Sequence, residues 1–237
     1  MTKYIITAII VSGCCTAFLR SLPFIAFKGE RDVYKRQVTD IAATPHFYPS
    51  VHNPKQWLVA RDHSVRRLIP YLTEDMPDIW LGAEVHYYDG IYRSEEILDF
   101  RIEDTELLLL EMPETKWTSR MQDIILKLND RKGIKVMLAH IERYFRFQDT
   151  DTWNYLRENG ILMQVSAEYF IRLMSRRKAI NMFKNGEIDM IGSDCHNMES
   201  RPPNFGTAVS IIEKHFGRGG VRTLHCREKR ALYGPKK

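Results

Sequence analysis

The sequence contains few cysteines, and none stands in a disulfide or metal-binding pattern. The four are Cys14, Cys15, Cys195 and Cys226, and the lack of any Cys-x-x-Cys pair argues against a cysteine-rich zinc site or a disulfide framework. No stripe of basic and aromatic residues occurs, so we expect no nucleic-acid partner. The composition, with 44% hydrophobic residues and a net charge of +5, is that of a soluble protein with mild attraction for anionic substrates. A reducing, cytoplasmic location is expected.

The first 37 residues differ from the rest. Residues 4–27 are strongly apolar and, taken alone, suggest a membrane helix or a secretory signal. Residues 16–24 resemble the start of the small membrane subunit of branched-chain amino acid exporters. Residues 32–37 match a translation of the transposon mosaic-end sequence used in sequencing libraries. We therefore expect residues 1–37 to derive from another gene and residues 38–237 to form one domain. A membrane is expected as a partner only if residues 1–37 are genuine.

Strand and helix patterns alternate from Val38 onward. The predicted strands lie within residues 40–44, 79–87, 106–112, 134–139, 161–165 and 188–193. The predicted helices lie within residues 53–72, 121–128, 149–159, 175–185 and 204–216. The four leucines at 107–110 indicate a strand that is covered on both faces. This alternation predicts a largely parallel α/β sheet, open or closed into a barrel, with the basic tail 227–237 as a solvated terminus.

Histidines and carboxylates fall at the ends of successive predicted strands. In a parallel α/β barrel, functional groups gather at the carboxyl ends of the strands. Mixed nitrogen and oxygen ligands suit manganese, iron or zinc, and two residues at i and i+2 on a strand can face one ion. The candidate metal ligands are His46, Glu84, Glu111, His140, Asp194 and His196.

Two arginines and five further histidines complete the set of candidates. Arg143 and Arg201 follow candidate ligand pairs, and their guanidinium groups could hold a phosphate in a bidentate fashion. The alternative for both is a surface ion pair. The remaining histidines are expected to be ordinary surface or core residues, although His86 shares a strand face with Glu84. They are His52, His63, His86, His215 and His225.

A set of short motifs resembles one known family. Ala43-Thr44-Pro45-His46, Gly82-Ala83-Glu84, Leu110-Glu111-Met112-Pro113, His140-Ile141-Glu142-Arg143-Tyr144 and Ser193-Asp194-Cys195-His196-Asn197 occur in this order. Across residues 38–237 the set resembles the PHP-type (polymerase and histidinol phosphatase) protein-tyrosine phosphatases of bacterial capsule and exopolysaccharide gene clusters.

The resemblance implies a distorted (β/α)7 barrel with up to three metal ions, usually manganese. It implies the six ligands named above and a phosphate held by Arg143 and Arg201. The implied substrate is the phosphorylated, tyrosine-rich tail of a partner autokinase. The family begins with a strand carrying His-x-His, which this sequence lacks, so we expect the first barrel strand and two ligands to be missing and fewer ions to bind.

Three other interpretations stay open. Cys195 and Arg201 satisfy the Cys-x5-Arg spacing of cysteine-based phosphatases, although Glu199 would repel a phosphate and Pro202 disfavours the helix that should begin at the arginine. A PHP phosphatase acting on a small metabolite has the same ligands. A non-catalytic fragment, or a tethered binding protein, is the third.

Overall fold

The computed structural model describes residues 4–6, 38–74, 77–196, 201 and 203–234. The predicted separate segment 1–37 therefore lies outside the described residues except for Tyr4–Ile6. The stretch 197–200 inside the Cys-x5-Arg motif lies outside them as well. Nothing in the described part tests where residues 1–37 come from.

Nine short strands in the described part of the chain form two sheets, and every pairing among them is parallel. The strands are β1 (Tyr4–Ile6), β2 (Val38–Ala43), β3 (His46–Phe47), β4 (Asp78–Leu81), β5 (Glu84–His86), β6 (Leu107–Glu111), β7 (Lys135–Leu138), β8 (Leu162–Ser166) and β9 (Met190–Gly192). One sheet has the order β1-β2-β4, and the other has the order β3-β5-β6-β7-β8-β9. All six predicted strands are present.

The two sheets form one continuous series, because they differ only by a break in each of two neighbouring strands. β2 leads into β3 across Thr44 and Pro45, and β4 leads into β5 across Gly82 and Ala83. The Gly82 and Glu84 amides donate to the carbonyls of Ala43 and Pro45 at 2.9 and 3.1 Å, which keeps the two positions paired. A Cβ on Gly82 would lie 3.1 Å from Thr44 Cγ2, so this approach requires glycine. The result is a single series of seven parallel positions.

The seventh position is β1, from the segment expected to be foreign to the domain. β1 pairs in parallel with β2, at the edge where the prediction counted a missing strand. An open edge presents unpaired backbone groups, and β1 pairs with them. Residues 1–37 contain no histidine, so this segment does not restore the two missing imidazoles.

Six α-helices among the described residues connect or cover the strands. They are α1 (Pro54–Leu68), α2 (Ser119–Asn129), α3 (Thr150–Glu158), α4 (Ala167–Ile171), α5 (Leu173–Asn185) and α6 (Phe205–Tyr233). Short 3₁₀ turns occur at Ile69–Tyr71, Ile91–Arg93, Glu96–Phe100 and Ile141–Tyr144. Asn53, Thr118 and Asp149 accept hydrogen bonds from backbone amides at the starts of α1, α2 and α3, as N-cap residues do.

The leucines of β6 divide between two apolar clusters. Leu108 and Leu110 belong to the larger cluster, which includes Ile125 and Leu128 of α2, while Leu107 and Leu109 belong to a smaller cluster on the other side. Successive strand residues point to opposite faces. The prediction of a strand covered on both faces is therefore confirmed.

The prediction of a solvated tail was wrong for the face of the tail helix that carries Glu228, Ala231 and Leu232. α6 continues to Tyr233, with a break at Gly217 where φ is 61°. Ala231 and Leu232 join the smaller apolar cluster, and Glu228 is 2% exposed. The tail helix covers apolar sheet surface, which outweighs its basic composition. No helix among the described residues is long and apolar enough to cross a bilayer.

Candidate active site

The predicted ligands do gather at the carboxyl ends of the strands. The register pairs His46 with Glu84 and His86 with Glu111, which places these side chains on adjacent strands at one edge. His140 lies two residues after β7, and Asp194 lies two residues after β9. Parallel strands bring their carboxyl ends to the same rim.

His46, Glu84 and Glu111 form a compact group. One ligand atom from each lies within 4.8 Å of the others. His46 Nδ1 is 3.8 Å from Glu84 Oε1 and 3.4 Å from Glu111 Oε2. His140 Nε2 joins from the other side, 2.8 Å from Glu84 Oε1 and 3.6 Å from Glu111 Oε1. The structure thus brings together four of the six predicted ligands, with Glu84 between the two imidazoles.

This group fits a divalent cation. Glu84 is fully buried, and its Oε2 has no hydrogen-bond partner among the described residues, nor has His46 Nδ1. A buried carboxylate is costly unless a positive charge or several donors stabilise it. Two carboxylates and two imidazoles are ligands of transition metals such as manganese, iron and zinc. Glu84 Oε2 and His46 Nδ1 are therefore available to coordinate an ion.

The backbone and neighbours of His140 hold its ring in position. His140 has φ 33° and ψ 55°, a left-handed conformation that is unusual for a non-glycine residue. Its amide donates to Gln164 Oε1. Its Nδ1 lies 3.2 Å from the hydroxyl of Tyr144. Metal-binding histidines usually have such a partner on the second ring nitrogen, which fixes the orientation of the first.

The predictions missed these supporting residues, and they also treated His86 as ordinary. His86 Nδ1 lies 3.4 Å from Glu111 Oε2, and its ring lies 5.6 Å from that of Tyr48. Its position two residues after Glu84 on one strand was the available signal. Tyr144 belongs to the His140–Tyr144 motif, but the sequence did not show that its hydroxyl would reach the His140 ring. Gln164 gave no signal, because its contact with the His140 amide depends on the packing of β7 against β8.

Asp194 and His196 lie together, but not on a strand as predicted. β9 ends at Gly192, and Asp194 has φ 48°, so the chain turns instead of continuing. His196 Nδ1 then lies 3.0 Å from the Asp194 carbonyl oxygen and 3.7 Å from its Oδ1. The His196 ring centroid is 6.1 Å from that of His46. These two residues border the compact group.

Arg143 and Arg201 meet on one carboxylate. Arg143 donates to Asp194 Oδ2 at 2.6 Å, and Arg201 donates to the same oxygen. Arg201 Nη1 also lies 2.9 Å from His196 Nε2, and Arg143 Nη1 is 3.8 Å from Glu111 Oε1. Each guanidinium carries five donors, so each retains N–H groups for an anion. The structure therefore places two fixed cations beside the ligand group.

Burial and neighbouring charges shift the pKa values of the histidines and of Glu111 in this site. Burial lowers the pKa of His46 and of His196. Burial also acts to lower the pKa of His140, but the adjacent Glu84 raises it more, so the net shift is upward. For Glu111, burial raises the pKa, while the hydrogen bond from His86 and the nearby His46 bring it below its ordinary value. His46 is thus held neutral and Glu111 ionised, the forms that bind a cation.

Cys195 is not accessible as a nucleophile would be. Its side chain is 1% exposed and belongs to the buried residues of the chain. A reactive thiol needs an accessible, electropositive surrounding. The spacing to Arg201 alone therefore does not make a cysteine-based site.

A comparison with protein-family models identifies the family of this chain. Residues 29–233 match the family model described as capsular polysaccharide synthesis, CpsB/CapC. The chain belongs to the CpsB/CapC family. The match covers the strands β2 to β9 and all the predicted site residues, so the family resemblance predicted from the motifs is confirmed.

Individual members of the family align over most of the chain. The tyrosine-protein phosphatase CpsB of Streptococcus pneumoniae is 24% identical over 215 residues, covering 84% of this chain and 86% of that protein. The tyrosine-protein phosphatase YwqE of Bacillus subtilis (strain 168) is 24% identical over 197 residues, covering 79% and 75%.

A solved structure confirms the fold. The structure, described as one of YwqE from Bacillus subtilis and CpsB from Streptococcus pneumoniae, unique metal-dependent tyrosine phosphatases, superimposes with a TM-score of 0.71 at 19% identity. It covers 96% of this chain and 100% of that one. This CpsB/CapC chain therefore has the predicted PHP-type α/β fold.

Proposed function

We propose that this chain is a metal-dependent protein-tyrosine phosphatase whose substrate is the phosphorylated tail of a capsule or exopolysaccharide tyrosine autokinase. The observation that supports this most is the buried group of His46, Glu84 and Glu111 beside two arginines. The two related phosphatases named above support the substrate class. Family membership supports the link to capsule synthesis.

We propose six metal ligands and two phosphate-binding residues. Manganese is the expected ion, or another divalent transition metal with a preference for mixed nitrogen and oxygen ligands. Such an ion supplies activation of water and neutralises charge on phosphate oxygens. The ligands are His46, Glu84, Glu111, His140, Asp194 and His196.

Arg143 and Arg201 would hold the phosphate oxygens opposite the ligand group. Their shared partner Asp194 fixes both guanidiniums at one edge of the site, so neither must be ordered when substrate arrives. Planar guanidinium groups bind phosphate through paired N–H donors. Positioned cations of this kind favour the extra charge that develops on phosphate oxygens during transfer.

The test is hydrolysis of a phosphotyrosine peptide with added manganese, followed by addition of a chelator. We expect activity that needs manganese and is lost with chelator. Glu111→Gln should lose activity, while Glu114→Gln, whose parent residue is exposed and pairs with Arg146, should keep it. Activity that survives the chelator and is lost in Cys195→Ser would contradict the proposal and favour a thiol mechanism. Turnover of a small phosphorylated alcohol but not of the peptide would favour a metabolite phosphatase.

We also propose that residues 1–37 form a segment distinct from the phosphatase domain 38–237. Amplification of the source DNA across the codons for residues 30–40 tests this. A single intact product from genomic DNA would contradict a joined sequence.

A further inference from the structure

A second cavity adjoins the proposed phosphate site. Its volume is about 690 Å³, and Arg143, Asp194 and Arg201 form its inner end. From there it extends past the ends of β8 and β9 towards α4 and the start of α6, where Tyr169 and Thr207 line it. Pockets of this size hold molecules much larger than a phosphate group. We call this space the flanking cavity.

Three polar side-chain atoms in the flanking cavity, the Oγ atoms of Ser166 and Ser193 and Oδ1 of Asn204, make no hydrogen bond of ordinary geometry with any described residue. The Ser166 hydroxyl lies beside the carboxylate of Glu142, which also lines the cavity. Ser166 is 4% exposed and Ser193 is 3% exposed. Buried polar groups are nearly always hydrogen-bonded, because leaving one unpaired costs free energy. Three such atoms around one cavity indicate a polar ligand rather than empty apolar space.

The charged side chains at the outer end of the flanking cavity are already paired. Arg172 Nε donates to Glu168 Oε1 at 3.0 Å, and Asn204 Nδ2 donates to Glu168 Oε2 at 3.2 Å. Arg143 and Arg201 act at the inner end. A second phosphate at the outer end would approach the Glu168 carboxylate, which already accepts from Arg172 and Asn204. The outer end therefore suits an uncharged polar group.

The segment just after Ile171, which we call the rim of the flanking cavity, carries two exposed apolar side chains. Ile171 lines the cavity, and two residues that follow it, Leu173 and Met174, are 81% and 101% exposed. Large apolar side chains exposed beside a pocket indicate a contact surface. A small phosphate ester would leave this rim uncovered, whereas a polypeptide continuing from the cavity would cover it.

We propose that the flanking cavity binds the polypeptide next to the phosphotyrosine, taking its main-chain amides and one uncharged side chain. Ser166, Ser193 and Asn204 bind peptide N–H and C=O groups, and Leu173 and Met174 contact an apolar neighbour. This inference rests on the proposed function. It adds that contacts with the polypeptide make the enzyme select phosphorylated proteins over small phosphate esters.

The test compares two substrates in three variants. Ser166→Ala and Asn204→Ala remove one polar group each, and Ser210→Ala is the matched control, because Ser210 on α6 donates to the Gly206 carbonyl outside the cavity. With manganese present, kcat/KM is measured for a phosphotyrosine peptide with uncharged neighbours and for p-nitrophenyl phosphate. The ratio of peptide to small ester should fall about 3–10-fold in the two cavity variants, the value of one hydrogen bond, and stay unchanged in the control.

A binding measurement separates this inference from the proposed function. Fluorescence anisotropy is measured with a labelled peptide carrying a non-hydrolysable phosphonate analogue of phosphotyrosine. If the wild-type protein hydrolyses neither substrate, the proposed function fails, and weaker peptide binding by the cavity variants alone would still support the inference. Unchanged selectivity in an active enzyme, or equal peptide binding by all variants, overturns it. Tighter binding of a peptide with a second phosphotyrosine beside the first would also overturn the inference.

Discussion

Tyr144 links the metal site to the core, and its hydroxyl group can be removed alone. Tyr144 is fully buried. Its oxygen accepts a hydrogen bond from the Met112 amide at 3.0 Å and lies 3.2 Å from His140 Nδ1. Burial raises its pKa well above the ordinary value, so the group stays a phenol. Tyr144→Phe keeps the ring and its packing against Trp117 and removes only these polar contacts.

The expected loss has two parts. The Met112 amide, in a residue 1% exposed, would lose its partner, which costs about 1–3 kcal/mol. For a domain of this size each kcal/mol lowers Tm by roughly 2–4 °C, so Tm should fall by about 2–12 °C. The His140 ring would also lose the partner that orients it, and removing such a partner typically weakens metal binding about 10–100-fold.

Both parts can be measured on purified protein. Tm is measured by calorimetry after chelator treatment, and manganese affinity by titration calorimetry. Tyr155→Phe is the control, because Tyr155 lies on α3 with 41% exposure, and such a change should cost less than about 0.5 kcal/mol. A normal Tm together with normal manganese affinity in Tyr144→Phe would refute the reasoning. A lower Tm with normal affinity would show that His140 is held by its backbone alone.

Three further changes have expected outcomes. Glu84→Gln should weaken manganese binding, measured by titration calorimetry, by more than the ~100-fold typical of residues that support a ligand. Glu106→Gln, at the exposed position just before β6, should leave the affinity unchanged. Equal affinities of the two variants would contradict a ligand role for Glu84. Burial raises the pKa of Glu228 well above its ordinary value, so its contribution to stability is present at acid pH and is lost as pH rises through the folded-state pKa. Glu228→Gln should therefore raise the Tm relative to wild type by an amount that grows from about pH 4 to about pH 8, and a constant difference would refute this. Gly82→Ala should cost about 1–3 kcal/mol in urea unfolding, since the new Cβ crowds Thr44; a stable variant would mean that the strands can separate.

The regular parts of the fold could be predicted from local pattern. Strand β6 was recognisable because its leucines are consecutive, and α2 because Ile124, Ile125 and Leu128 recur with helical spacing and are all buried. The location of the site followed from the rule that parallel strands end at one rim. That rule predicts that His46 lies at the rim, because it follows an apolar strand pattern. Glu84 was predicted inside the strand 79–87, and the structure divides this stretch into β4 and β5, so that Glu84 pairs with His46.

The remaining features depend on contacts between distant segments. The interruption at Gly82 arises because Thr44 and Ile102 approach it closely, and neither residue is near in sequence. The tail 227–237 was predicted as solvated because its basic residues outnumber its apolar ones, yet Ala231 and Leu232 reach the smaller apolar cluster. Composition cannot reveal which face of such a helix has a surface to cover.

The orientation of the ligands depends on two residues with left-handed backbones. His140 and Asp194 both have positive φ, a conformation that costs free energy in a non-glycine residue and persists only where surrounding contacts hold it. At His140 these contacts come from Gln164 and Tyr144, and at Asp194 from the two arginines. Had the chain continued as a strand past Gly192, residues 194 and 196 would face one way and the chain would leave the rim. The turn at Asp194 instead keeps its carboxylate between Arg143 and Arg201 at the edge of the ligand group. The backbone conformations of His140 and Asp194 therefore determine where the arginine side chains and the carboxylates lie relative to one another.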